Sequence, residues 1–408
     1  MSVKQLIYQN NHQKTMKHIK MGLLPRVLTA IVLGIALGSV FNEAWVRVFV
    51  TFNSIFGQFL GFMIPLIIVG LVTPAIADIG RNAGRLLLIT VAIAYVDTVL
   101  SGLLSYATGS WLFPDMVGGV SESQTQGGSQ STLAPYFTVT IPAMIDVMAA
   151  LVFSFMAGLG IAYGGHHALK TAFGEFKDII SKAIEKAIIP LLPLYIFGIF
   201  LQMTYTGEAF HILKVFAQII IVIFVLHVLI LVYQFCIAGG LTRRNPLRLL
   251  WNMLPAYLTA LGTSSSAATI PVTLRQTMKN GVSEDVAGFT VPLCATIHMS
   301  GSAMKITACA LTICMLEGMP HTFPVFLHFI LMLAIVMVAA PGVPGGSIMA
   351  ALAPLSAILG FNPEQQALMI ALYIAMDSFG TACNVTGDGA IAIIVEKING
   401  KKGICTTD

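Results

Sequence analysis

The chain has 408 residues, of which 56% are hydrophobic and 10% charged, against roughly 25% charged in an ordinary soluble domain. So few charges cannot cover a water-facing surface. Lipid must therefore be the solvent for most of it, which excludes a soluble enzyme or binding domain. The net charge of +4 does not mark a nucleic-acid binder, because Lys and Arg sit as short flanks of apolar runs.

Charge-free runs such as Val48 to Ala77 and Val215 to Gly240 exceed the roughly 20 residues a helix needs to cross the hydrocarbon. The sequence predicts helices near 22–42, 46–77, 84–112, 138–164, 176–204 and 210–240. The first follows Lys14, Lys17, Lys20 and Arg26 and imitates a signal peptide, but the many later spans make it a retained helix. Basic residues recur at Arg81 and Arg85, at Lys170 to Lys186, at Arg243 to Arg248 and at Lys397 to Lys402. The stretch Pro114 to Pro135 has none and reads as an external loop. By the positive-inside rule both termini are cytoplasmic, in the inner membrane of a cell. The six cysteines form no CxxC pair and read as small buried apolar residues. Asp146, His166, His167 and Met203 carry no pattern that points to chemistry.

After about residue 245 the pattern changes. Thr263 to Pro271 (TSSSAATIP) separates two apolar halves, each too short to span. Ala340 to Ser347 (APGVPGGS) does the same. Each is followed by an apolar segment broken by polar residues, Thr296 to Ser302 in one case and Asp377 to Asp388 in the other. Flanking charges give the two units opposite orientation: Arg244, Arg248 and Lys279 for the first, Glu317 and Glu364 for the second. Paired interrupted segments of opposite orientation point to a transporter's central site.

Four motifs in order carry a resemblance: Thr263 to Leu274, Pro292 to Ser302, Pro341 to Gly346 and Asn384 to Asp388. They resemble the glutamate-transporter family, the dicarboxylate/amino acid:cation symporters, as a bacterial member. The resemblance implies an all-α membrane protein of eight transmembrane helices plus two re-entrant helical hairpins, arranged as inverted repeats. It divides the chain into a cytoplasmic segment 1–20, scaffold helices 1 and 2 over 21–83, transport-domain helix 3 over 84–113 and an external loop 114–137. Scaffold helices 4 and 5 follow over 138–205, then transport-domain helix 6 over 206–242 and re-entrant hairpin 1 over 243–280. Broken helix 7 takes 281–317, hairpin 2 (the gate) 318–361, helix 8 362–398 and a cytoplasmic tail 399–408. A homotrimer in a lipid bilayer is implied, with a small amino acid as substrate and no nucleic acid.

Asp388 is a carboxylate at membrane depth and needs a cationic or functional partner. Asn384, one turn earlier, shares its face. The resemblance makes both sodium ligands, and it adds Cys294, Thr296 and His298. Carbonyls near Met337, Val338 and Ala340 complete a second sodium site with Thr296. For the substrate it implies Ser265 and Ser266 at the first hairpin tip, where free amides suit a carboxylate. It also implies Ser302, Val343 and Gly345, together with Gly380, Thr381 and Asn384. Asp377 takes the substrate's amino group in the family. No cofactor is expected beyond sodium as coupling ion, with protons as the alternative.

The sequence departs from the family at several places. The arginine that pairs with acidic amino acids is Gly380 here, and the hairpin arginine of some members is Ser264. Without that bidentate contact a neutral amino acid fits better than glutamate or aspartate. The broken-helix motif NMDGT reads His298 to Ser302 (HMSGS), and its third-span complement reads Thr90, Ile93 and Ala94. A third sodium site is therefore expected to be absent, with an ion pair of Lys305 and Asp97 in its place. His298, which titrates near neutrality, is a candidate proton carrier. The function expected is sodium-coupled symport of a small neutral amino acid by alternating access, not catalysis. The alternative is a proton-coupled or mixed symporter of an acidic amino acid or dicarboxylate. A remote one is an intramembrane hydrolase using Ser264 to Ser266 with His298.

Overall fold

The computed structural model describes residues 23–79, 85–118, 133–207, 209–340 and 344–400. The expected N-terminal segment 1–20, residues 119–132 of the external loop, Pro341 to Val343 at the second hairpin tip and the tail from 401 lie outside the described residues. All regular structure among the described residues is helical.

The first half runs α1 (Leu23–Gly38), α2 (Glu43–Ile79), α3 (Arg85–Gly118) and α4 (Val147–Gly164). It continues through α5 (His167–Ala183), which passes by a π-helical turn, Ile184–Ile188, into α6 (Ile189–Tyr205), and then α7 (Ala209–Thr242). Several ends differ from the sequence expectation. α3 continues past 113 to Gly118, because Phe113 and Val117 are buried and hold the extra turn in place. α4 starts at Val147 rather than 138. The β-branched run Thr138 to Ile141 and Pro142 disfavour helix, and Asp146 caps the start by accepting from the Ala149 amide. The fifth span begins at His167 rather than 176.

The second half is shorter pieces. Asn245 caps α8 (Pro246–Asn252), its Oδ1 accepting from Leu247 N and Arg248 N. Next come α9 (Leu254–Thr263) and α10 (Ser266–Lys279). At their junction Ser264 is left-handed (φ 50°), ending α9. Ser265 is extended and caps α10 by accepting from Ala268 N. Two polar residues thus reverse the chain in the way a C-cap followed by an N-cap requires. α11 (Glu284–Ile297) and α12 (Ser300–Leu316) are parted where His298 and Met299 leave helical geometry. α13 (Phe323–Val338) and α14 (Gly346–Ala357) flank the second tip, where Gly345 has φ 76°. A capping box at Asn362 and Gln365 starts α15 (Pro363–Ala375), and Met376 separates it from α16 (Asp377–Asn399). The segment 362–398, expected to be broken by polar residues between Asp377 and Asp388, is interrupted just before them, at Met376, and α16 runs unbroken through both aspartates.

Among the described residues, six helical stretches are long and apolar enough to cross a membrane: α2, α3, the α5–α6 rod, α7, α11 with α12, and α16. α1 and α4 are shorter apolar helices. The outward side chains of α4, including Val152, Met156 and Leu159, are exposed and apolar, as a lipid-facing surface requires.

Packing divides the helices into two groups. α2 packs against α4, α5 and α6, and α1 against α6. α16 is ringed by α3, α7, α9, α10, α11 and α12. α14 and α15 lie between the groups, since both touch α2, and α15 also touches α1 and α6. The interrupted helices thus converge on α16, which is buried almost throughout.

Candidate functional site

Asn384 on α16 closes the break between α11 and α12. The first amides of α12 have no helical partner. Asn384 Oδ1 accepts from Gly301 N at 2.8 Å and Ser302 N at 3.3 Å, and its Nδ2 donates to Ser302 Oγ at 3.1 Å. Ser302 Oγ also lies 3.0 Å from the Tyr373 hydroxyl.

One turn along α16, Asp388 meets the break residue itself. His298 Nδ1 is 2.8 Å from Asp388 Oδ1, and its Nε2 is 2.8 Å from Asp97 Oδ2. Gly387 makes room for the ring, since a Cβ there would fall 2.8 Å from His298 Cε1. Asp97 also accepts from the Tyr233 hydroxyl and from Gln234 Nε2, each at 2.6 Å. All three members of the chain Asp97–His298–Asp388 are buried. Each short nitrogen–oxygen contact needs a proton between its atoms. Two contacts therefore need two protons, one more than a neutral imidazole brings. The second proton is shared between the ring and a flanking carboxyl, so the trio holds two protons in these contacts and keeps one net negative charge.

At the start of α16, Lys305 is fully buried. Its Nζ lies 3.6 Å from Asp377 Oδ1, donates to Met376 O at 3.2 Å and sits 3.6 Å from the Tyr373 ring centroid. The other Asp377 oxygen accepts from Gly345 N at 2.9 Å. Asp377 thus joins α12, α16 and the second hairpin.

These contacts correct the expected Lys305–Asp97 pair. Asp97 is matched by His298, and Lys305 is matched by Asp377. Both ring nitrogens of His298 are engaged by carboxylates, so its side chain offers no lone pair to a cation, and a sodium contact from this residue would fall to its backbone carbonyl.

A family model of the sodium:dicarboxylate symporters matches residues 23–398. The chain belongs to the sodium:dicarboxylate symporter family. A symporter of this family is a multi-pass membrane transporter and not an enzyme. The serine run agrees with that in its contacts: Ser264 Oγ is 2.6 Å from Ser378 Oγ, and Ser265 caps α10. His298 is committed to carboxylates.

Around these pairs the symporter brings together part of the expected set. Ser264 ties the first tip to the first turn of α16, beside Asp377. Ser266 is buried there, and Thr269 Oγ1 donates to Ser265 O. Thr381 Oγ1 donates to Asp377 O, which is a bond within α16. Val343 lies outside the described residues. Thr296 is exposed and its hydroxyl donates to Leu293 O. Met337 O accepts from Ala340 N and Cys294 O from His298 N, so both are helix-end carbonyls. Val338 is half-buried.

Four polar residues of the interior were missed in the sequence: His227, Tyr233 and Gln234 on α7, and Tyr373 on α15. Their signal was present. α7 is apolar but for a few polar side chains, and His227 and Gln234 are seven residues apart, on one helical face. His227 is buried, and neither of its nitrogens has a hydrogen-bond partner among the described residues.

Proposed function

We propose that this symporter carries a small carboxylate-bearing solute, driven by a cation gradient, through alternating access. One observation carries the reading. Three carboxylates, a lysine and a histidine are buried together in an apolar bundle, around the break that His298 makes between α11 and α12 and the break at Met376 before α16. Buried charge at membrane depth is costly and belongs to ion or solute pathways, and interrupted backbone is tolerated there only around a site.

In this reading α9–α10 and α13–α14 are re-entrant hairpins of opposite orientation, accompanying eight spans. α1, α2 and α4 to α6 form the scaffold of a homotrimer, while α3 and α7 to α16 move as the transport unit. The packing groups support that division, with α14 and α15 at the sliding boundary. Sodium is the coupling ion, at Asp388 with Asn384 and at the carbonyls of Met337, Val338 and Ala340 with Thr296. The imidazole of His298 stands in for a third sodium. The substrate carboxylate faces the start of α10, where Ser265, Ser266 and the helix dipole favour an anion. Proton coupling is favoured by one observation, the imidazole already lodged against Asp388.

Uptake by the purified protein in liposomes tests this. A panel of carboxylates and amino acids is offered under an inward sodium gradient, a pH gradient, both, or neither. Accumulation driven by sodium supports the main reading, and accumulation driven by pH alone supports the second. Solute movement that no cation gradient alters would remove both.

A further inference from the structure

The described chain buries three carboxylates, Asp97, Asp377 and Asp388, and each already has a partner from the protein. Asp97 and Asp388 share His298. Asp377 has the Lys305 ammonium on one oxygen and the Gly345 amide on the other. A solute ammonium entering this interior would find no buried carboxylate left without a partner.

Lys305 is held from several sides. Met376 O and the Tyr373 ring fix its Nζ, and Ser302 steadies Tyr373. Gly380 leaves the volume it needs, since a Cβ there would lie 2.6 Å from Nζ. The ammonium therefore fills the space beside Asp377 and sits where a second one would be repelled. Like charges close together in a poorly polarisable interior repel strongly, and such repulsion is an efficient way to reject a competitor. A carboxylate in the same place meets attraction instead.

We propose that Lys305 sets the substrate class: it supplies from within the chain the ammonium that an amino acid would bring, so the carrier takes a carboxylate without an amine. Hydroxy-, keto- and dicarboxylates fit this description. The inference rests on the carrier reading above, and it replaces the neutral amino acid expected from Gly380 and Ser264.

The test uses full-length protein in liposomes under whichever cation gradient drives uptake. Succinate is compared with aspartate, and lactate with alanine, as pairs that differ at the amine. The amine-free partner is expected to have the higher kcat/KM by about tenfold or more, a difference of one ordinary polar contact or repulsion. Lys305→Met leaves Asp377 free to receive an ammonium, so the ratio should move by about tenfold toward aspartate or alanine. Lys305→Arg, which keeps the charge, should move it less. A purely structural role for Lys305 would lower uptake of both partners and leave the ratio alone. Equal uptake, preference for the amine-bearing partner, or rejection of both pairs while other solutes accumulate overturns the inference. The wild-type ratio decides the matter even where a variant fails to fold. Failure of the carrier reading looks different: no solute of a broad panel then accumulates under any cation gradient.

Discussion

Gly380 and Lys305 divide one volume between them. A Cβ at Gly380 would fall 2.6 Å from Lys305 Nζ and 2.9 Å from its Cε. The end of a lysine can retreat, but retreat takes the ammonium away from Asp377, Met376 O and the Tyr373 ring. Gly380→Ala is therefore expected to lower unfolding free energy by about 1–3 kcal/mol, as overpacking does. Shortening the lysine in the same protein should return part of that loss. The double variant Gly380→Ala with Lys305→Ala should then be less destabilised than the sum of its singles, by about 0.5–3 kcal/mol. Chemical unfolding in detergent measures this cycle, and strict additivity would show that the two positions do not compete for space.

Asp97 and Asp388 hold His298 from opposite sides. Removing one side leaves a protonated ring with too little negative charge around it, or a neutral ring with one nitrogen unmatched. Breaking a buried pair in this way costs about 3–5 kcal/mol. Asp97→Asn and His298→Gln should each approach that loss, while their combination should fall well short of the sum. Thermal unfolding of the four proteins at one pH reads the outcome. Small, additive shifts would mean that the contacts contribute little to the fold.

How much of this was legible in the sequence depends on range. The spans, the polar interruptions and the importance of Asp377 and Asp388 follow from local composition, because lipid forbids charge and loose backbone except at a site. Ends were less legible. Pro142 and the β-branched run before it argue against a helix from 138, yet apolarity outweighed them, and the short break at Met376 carries no proline or glycine. The pairing of cations with carboxylates was not legible at all. His298 and Lys305 are seven residues apart, a spacing that would set both on one face of an unbroken helix, so spacing alone cannot say which of them meets Asp97. The choice is made by the depth at which α3 and α16 cross α12. Glycines gave the missing clue: Gly387 leaves space for His298 and Gly380 leaves space for Lys305.

Sodium should stabilise the folded protein if it binds at Asp388 and Asn384. A ligand at 100 times its dissociation constant adds about 2.7 kcal/mol. Melting in detergent should therefore rise with sodium chloride and stay flat with choline chloride at equal ionic strength. Asn384→Ala should weaken the sodium response, and it also removes the acceptor for Gly301 N and Ser302 N, so its baseline stability should drop as well. Equal melting in the two salts would count against sodium as the coupling ion and leave the proton-coupled reading in front.

Ser264 tests whether the first hairpin tip is held by its side chain or by its backbone. Its φ of 50° is left-handed, a geometry that costs a residue with a Cβ roughly 1–2 kcal/mol and glycine almost nothing. Its hydroxyl lies 2.6 Å from Ser378 Oγ, a contact of about 1 kcal/mol net. Ser264→Ala keeps the backbone cost and loses the contact, so it should destabilise by about 1 kcal/mol. Ser264→Gly loses the contact but relieves the backbone, so it should melt close to wild type. Transport should respond differently from melting. Both variants release the tip from the first turn of α16, next to Asp377, so both should raise the KM for substrate to a similar degree. If only the alanine variant transports poorly, the backbone at residue 264 matters and the tether to Ser378 does not.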